Sequence, residues 1–169
     1  GGIRYVVGDG AVLPFASDAF DAVTAFMSLM DVAHPEGVLR EIARVLRPGG
    51  FLQFSIAHPA TSTPVRRWVV DEAGERRALV IGGYFCEGPV SETWTFGAAP
   101  AALRAGRRPF EITYARRTLA GWLNAVLACG LAIEAIGEPC ADETTAAAHP
   151  EVADTRIAPY FLTVRVRRT

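Results

Sequence analysis

The chain contains no lysine: all 17 of its basic residues are arginine, in a sequence of 169. Doubly wound oxidoreductases acting on nicotinamide or nucleotide-sugar substrates want a Tyr-x3-Lys or similar base, so the absence of lysine argues against them. Cysteine is scarce. Cys86, Cys129 and Cys140 are odd in number, far apart, and form no Cys-x2-Cys pair. That spacing excludes a disulfide framework and leaves free thiols in a reducing cytosol, so a cytoplasmic location is the expectation. His34 and His149 have no partners at metal-ligand spacing, and no metal site is expected. The 18 acidic residues balance the 17 arginines to a net charge of -1, which gives no electrostatic case for nucleic acid. No apolar run approaches the roughly 18 residues that a membrane span needs. The first residues lack the basic-then-apolar layout of a secretory leader.

The informative stretch runs from Ile3 to Pro59. Ile3–Val7, Phe20–Phe26 and Phe51–Ile56 are short, apolar, and rich in β-branched or aromatic residues, as buried strands are. Between the second and third lies a punctuated helix. Pro35 and Glu36 suit its first turn, Val38, Leu39, Ile42, Val45 and Leu46 share a face, and Arg47 precedes the terminating Pro48-Gly49-Gly50. Strand, helix and strand with short links imply a right-handed parallel crossover in a doubly wound α/β sheet.

From Ala60 to Ala115 the pattern changes to prolines, glycines and aromatics without a helical period. Strands at Arg66–Val70 and Leu79–Tyr84 would suit a hairpin around Asp71-Glu72-Ala73-Gly74, and Trp94-Thr95-Phe96 suits a third. The expectation is an irregular, aromatic-rich insertion serving as a lid or substrate wall. Regular structure then resumes. Thr118 can cap a helix with Leu119, Trp122, Leu123, Val126 and Leu127 inward, ended by Gly130. Leu131–Ile136 reads as a strand, Ala141–Thr155 as a polar stretch with a short helix, and Ile157–Arg167 as a last strand. A single domain over residues 1–169 is expected.

Three segments, Gly8-Asp9-Gly10, Leu13-Pro14-Phe15 and Phe20-Asp21-Ala22-Val23, are followed by Glu41-Ile42-Ala43-Arg44-Val45-Leu46-Arg47-Pro48-Gly49-Gly50. This ordered set resembles class I, Rossmann-like S-adenosylmethionine-dependent methyltransferases of the small-molecule and quinone-biosynthesis type. Arg117-Thr-Leu-x2-Trp-Leu-Asn, with Glu138-Pro139, is similar to the family's last helix and sixth strand. The resemblance implies a partial Rossmann-like sheet, mostly parallel with an antiparallel C-terminal strand. It also implies that the chain starts at the family's third strand, as an N-terminally truncated piece whose glycine-rich loop would lie upstream. Phe20–Phe26, Phe51–Ile56, the last strand and Leu131–Ile136 would then be contiguous in that order. Ile3–Val7 would be left loose or paired with Phe20–Phe26, whose open edge offers a route to oligomers.

For cofactor binding the resemblance points to Asp9 and Gly10 for the adenine, Leu13 for its face, and Phe26 and Met27 at a strand's carboxyl end, where open α/β sheets place ligands. A turn aspartate and core side chains would leave the same signature. For catalysis it points to Asp31, able to orient a substrate amine or hydroxyl, and to His58, a candidate general base after the third strand. A capping aspartate and a surface histidine are the bland counterparts. Tyr84, Phe85 and Trp94 are candidates to bind substrate, or the insertion's own small core. The implied function is methyl transfer from S-adenosylmethionine to a small-molecule acceptor by in-line displacement, which needs alignment more than acid–base groups. The alternative is a non-catalytic methyltransferase-like module that binds a partner.

Overall fold

Pro35 has no N–H to lose and a φ already suited to a first turn, so it opens helix α1 (Pro35–Val45). Leu39, Ile42 and Val45 recur at helical spacing and are buried at 3% exposure or less, each worth about 1.5–3 kcal/mol of transfer free energy. The computed structural model describes residues 2–94 and 108–169. Around α1 the described elements are β1 (Phe20–Phe26), β2 (Leu46–Ala57), β3 (Val65–Val70), β4 (Arg76–Gly82), β5 (Gly88–Trp94), β6 (Phe110–Arg116), α2 (Leu119–Ala128), β7 (Leu131–Gly137), α3 (Glu143–Ala148) and β8 (Phe161–Arg168). Short 3-10 turns lie at Leu29–Asp31 and Pro150–Arg156. No described helix is long and apolar enough to cross a membrane.

The main sheet has the order β1-β2-β8-β7, the contiguous order expected from the resemblance. Its alternating residues Leu52, Phe54, Ile56, Leu162, Val164 and Val166 are fully buried and form the core with Trp122 and Val126 of α2. The expectation of a mostly parallel sheet is corrected. Among the described residues only β1–β2 is a parallel ladder; β8 runs antiparallel to both β2 and β7. Because β8 is inserted between two strands of like direction, one reversed strand converts two of the three ladders.

Ile3–Val7, strand-like in composition, is left unpaired, the first of the two outcomes expected for it. No ladder includes it among the described residues, and Tyr5 and Val7 are 89% and 102% exposed. An apolar run becomes a strand only when a neighbour accepts its backbone, and β1 pairs with β2 alone. Strand β2 begins at Leu46, five residues before the expected start. Phe20 pairs with Leu46 and Ala22 with Phe51, so Arg47–Gly50 is looped out within the strand. Gly49 takes φ +78 there, and a Cβ on Gly50 would lie 2.9 Å from the Arg47 carbonyl and 3.0 Å from that of Asp21. The helix thus ends at Val45, ahead of the expected Pro48-Gly49-Gly50 stop, Leu46 and Arg47 belong to β2, and the glycines shape a bulge within that strand.

The segment expected to be irregular holds two antiparallel ribbons, β3–β4 and β5–β6. Asp71 makes the first turn: its Oδ1 accepts from the N–H groups of Ala73 and Glu75, and Gly74 takes φ +82. Among the described residues the aromatics do not gather into a core of their own. Trp68 lies under the Arg76 guanidinium, and Tyr84 packs edge-on against Phe85 at 5.1 Å. Phe96 and Thr95 lie outside the described residues. The β3–β4 ribbon is tied to the 3-10 turn before β8: Arg76 pairs with Asp154, which also accepts from the Tyr160 hydroxyl at 2.8 Å. Burial first, and then that carboxylate, push the Tyr160 phenol up to about 12.

Thr118 caps α2 as expected, its Oγ1 accepting from Gly121 N–H at 3.0 Å. Leu127 is 52% exposed, not inward; Ala125 takes the buried place instead. Strand β8 starts at Phe161 because Ile157 closes the preceding 3-10 turn.

Candidate functional site

Three segments meet at the carboxyl edge of β1 and β2. The first is the turn at Asp9–Val12. Val12 N–H donates to the Asp9 carbonyl at 3.0 Å, and Ala11 N–H to Asp9 Oδ1 at 2.9 Å. Asp9 is thus an exposed turn aspartate that uses one carboxylate oxygen within the turn. Gly10 and Ala11 rest on the first turns of α1: a Cβ on Gly10 would meet Val38 at 3.4 Å, and one on Gly37 would meet Ala11 at 3.3 Å.

A clamp that sequence reasoning missed holds the next residues. Leu13 N–H donates to Glu41 Oε2 at 2.8 Å, and Arg44 donates to the carbonyls of Leu13 and Phe15 at 3.1 and 2.9 Å. Arg44 grips both oxygens of Glu41 at 2.8 and 2.9 Å. The Arg44 hydrogen bond, then that of Leu13, holds the Glu41 carboxyl down at about 2. Their i, i+3 spacing inside the Glu41–Gly50 motif was the available signal.

The second segment is the end of β1. Met27 adopts φ +49, and its N–H reaches both the carbonyl and the hydroxyl of Ser55 at 2.9 and 3.2 Å. This turns the chain sharply and leaves Phe26 and Met27 exposed at 62% and 36%. Leu13 is half-buried. Phe26 is therefore not a core side chain. Ser55 was not singled out by sequence because its role depends on the β1–β2 register.

The third segment surrounds a cavity of about 150 Å³ beside the 3-10 turn. Met30, Trp94, Ile112 and Trp122 supply apolar wall, while Asp31, Arg66 and Arg116 supply charge. Burial pushes the Asp31 carboxyl above its ordinary value. Asp31 and Arg66 have no ion pair among the described residues, although Arg66 Nη1 donates to the Thr61 carbonyl at 3.2 Å. Arg116 is committed: its Nε donates to the Ser62 carbonyl at 3.0 Å and its Nη2 to Tyr114 Oη at 3.2 Å. The Tyr114 hydroxyl in turn donates to Glu92 at 2.7 Å. Arg117 pairs with Glu36 at 2.6 Å.

The structure brings Asp31 and Trp94 to this cavity. His58, Tyr84 and Phe85 do not line it. His58 is 4% exposed, with Nε2 2.8 Å from Glu138 Oε1 and Nδ1 accepting from Ala60 N–H at 3.1 Å. That pattern assigns its proton to Nε2 and engages both nitrogens. The Tyr84 hydroxyl accepts from Leu119 N–H at 2.9 Å, at the start of α2, and Phe85 is 84% exposed.

The model of a family described as "Methyltransferase domain" matches residues 1–54. Among solved structures, an S-adenosylmethionine dependent methyltransferase from Mesorhizobium loti superposes with a TM-score of 0.79 at 31% identity, covering 99% of this chain and 71% of that one. A Burkholderia thailandensis 1,6-didemethyltoxoflavin-N1-methyltransferase with bound 1,6-didemethyltoxoflavin and S-adenosylhomocysteine aligns at 14% identity, with a TM-score of 0.52 over 98% of this chain and 51% of that one, a likeness of fold. Among curated relatives, the demethylmenaquinone methyltransferase of Mycobacterium tuberculosis strain H37Rv is 55% identical over 47 residues, 28% of this chain and 20% of that protein. That of Corynebacterium efficiens is 48% identical over 63 residues, 37% and 26% respectively. The matched segment thus spans a fifth to a quarter of those curated relatives' length.

Proposed function

This chain belongs to the S-adenosylmethionine-dependent methyltransferases, and from that premise we propose that it serves methyl transfer from S-adenosylmethionine to a small-molecule acceptor. The observation that carries the proposal is the shared carboxyl edge: the Asp9–Leu13 turn, the exposed Phe26-Met27 corner and the cavity beside Met30-Asp31 all lie where open α/β sheets place ligands. When bound, S-adenosylmethionine supplies a methyl group on an already activated sulfonium.

The residues present fit the adenine end of that cofactor. Asp9 keeps one carboxylate oxygen for an exocyclic amino group, and the turn it closes is seated on α1. Leu13, pinned by the Glu41–Arg44 clamp, would flank one ring face, and Phe26 and Met27 would border the other side. The clamp and the Ser55 bonds hold these groups in advance, so little ordering is left for the binding step. The β3–β4 and β5–β6 ribbons would act as substrate wall through Trp94 and Ile112. Asp31, in the same cavity, would accept a hydrogen bond from the acceptor's O–H or N–H and hold the nucleophile toward the methyl group. His58 would act as a positioning residue, tying the end of β2 to Glu138.

Calorimetric titration of S-adenosylhomocysteine into the chain and into Asp9→Ala tests this reading. The expected result is saturable binding, weakened about tenfold by the substitution, as for loss of one charge-assisted hydrogen bond. Binding that Asp9→Ala leaves untouched would remove Asp9 from the site.

A further inference from the structure

The cavity beside Asp31 carries one feature that methyl transfer in general does not require: a cation and a carboxylate, both without an ion pair among the described residues, on the same small enclosure. Among the described residues, every other charged group that lines it has a partner. Arg117 holds Glu36, and Arg116 is spread over Ser62, Tyr114 and Glu92. Arg66 reaches only a backbone carbonyl, which leaves guanidinium donors for a further acceptor. The same cavity has apolar wall from Met30, Trp94, Ile112 and Trp122.

Size narrows the occupant. A cavity of about 150 Å³ is the volume at which an apolar enclosure takes a single benzene ring. Charge narrows it further: Arg66 matches an anionic oxygen pair by its fork geometry, and Asp31 matches a hydroxyl or amine donor. We propose, resting on the methyltransferase reading, that the acceptor is a single-ring phenol or arylamine that also carries a carboxylate, with the acid on Arg66 and the nucleophilic O–H or N–H on Asp31. In the transfer the acceptor's oxygen or nitrogen lone pair forms the bond to the methyl carbon as the carbon–sulfur bond breaks. The sulfur keeps that bonding pair and becomes a neutral thioether, and the acceptor proton passes to Asp31 or to water.

The chain has two methionines, Met27 and Met30, so methyl-labelled methionine gives one reporter at each site. The test titrates 4-hydroxybenzoate and phenol separately into the labelled 169-residue chain and into Arg66→Gln. Arg66 is exposed, so the variant is expected to fold as the parent does. The Met30 methyl should shift with both probes, and 4-hydroxybenzoate should bind about tenfold more tightly than phenol. Arg66→Gln should erase that difference while leaving phenol binding unchanged; Asp31→Asn should weaken both. Equal affinity for the two probes, a preference that survives Arg66→Gln, or a Met30 signal that neither probe moves would overturn the proposal. Failure of S-adenosylhomocysteine to move Met27 in the same sample would instead count against the methyltransferase reading, whatever Met30 reports.

Discussion

Replacing His58 separates a positioning role from a chemical one. The imidazole is almost fully buried, accepts from Ala60 N–H through Nδ1 and donates to Glu138 through Nε2. Asn can present its amide oxygen where Nδ1 sits, and Gln can present its amide nitrogen where Nε2 sits, so each variant keeps one bond. Glu138 is exposed, and losing its bond should cost about 0–1 kcal/mol. Losing the bond to Ala60 orphans a part-buried N–H and should cost about 1–3 kcal/mol. His58→Asn should therefore be mild and His58→Gln worse. His58→Ala should be worst, at about 2–4 kcal/mol with the void included. At about 2–4 °C per kcal/mol for a chain of this size, the alanine variant should melt about 5–15 °C lower. Thermal melts give that order, and S-adenosylhomocysteine affinity in the folded variants should be unchanged. Loss of methyl transfer in His58→Asn, with stability and cofactor affinity intact, would refute the argument and return the ring to the chemistry.

The remaining predictions concern the scaffold and its charges. Gly50→Ala should destabilise the bulge strongly because the added carbon meets two backbone carbonyls that have nowhere to go; chemical denaturation should show a lower midpoint at unchanged slope. Glu41 has a depressed pKa, so its clamp contributes stability above its unfolded value of 4.5 that is lost as pH falls toward about 2; a melting profile from pH 6 to 2 should be flatter for Glu41→Gln than for the parent. Burial raises the Asp31 pKa, so it becomes a full hydrogen-bond acceptor at a higher pH than an ordinary aspartate does. The pH profile of methyl transfer should carry a rising acidic limb that Asp31→Asn abolishes. Thr118→Val should cost about 1 kcal/mol through loss of the α2 cap, read from the same denaturation curves.

What was legible in the sequence was mostly local. Pro35, the apolar spacing through Val45, Thr118 and Gly74 are each decided by bonds made within a few residues, and the structure forms those elements where expected. The order β1-β2-β8-β7 came from the resemblance, because nothing local says that β8 enters between β2 and β7. What was not legible is what a distant partner decides. Ile3–Val7 has a strand's composition and no ladder, and the looped-out Arg47–Gly50 follows from where Asp21 and Phe20 meet β2. The site divides the same way. Asp9, Met27 and Asp31 are proposed from their places near strand ends, whereas the Glu41–Arg44 clamp and Ser55 act across 28 to 31 residues of chain. His58 shows the same limit: its place after a strand is readable, whereas its contact with Glu138, 80 residues away, is not.

The most direct test of the account is the methyl spectrum of the two labelled methionines during titration with S-adenosylhomocysteine. Met27 borders the proposed cofactor edge and Met30 lines the cavity. The account predicts a saturable shift of the Met27 signal, weakened in Asp9→Ala, before any acceptor is added. A Met27 signal that stays fixed at saturating ligand would contradict the placement of the cofactor at the carboxyl edge of β1.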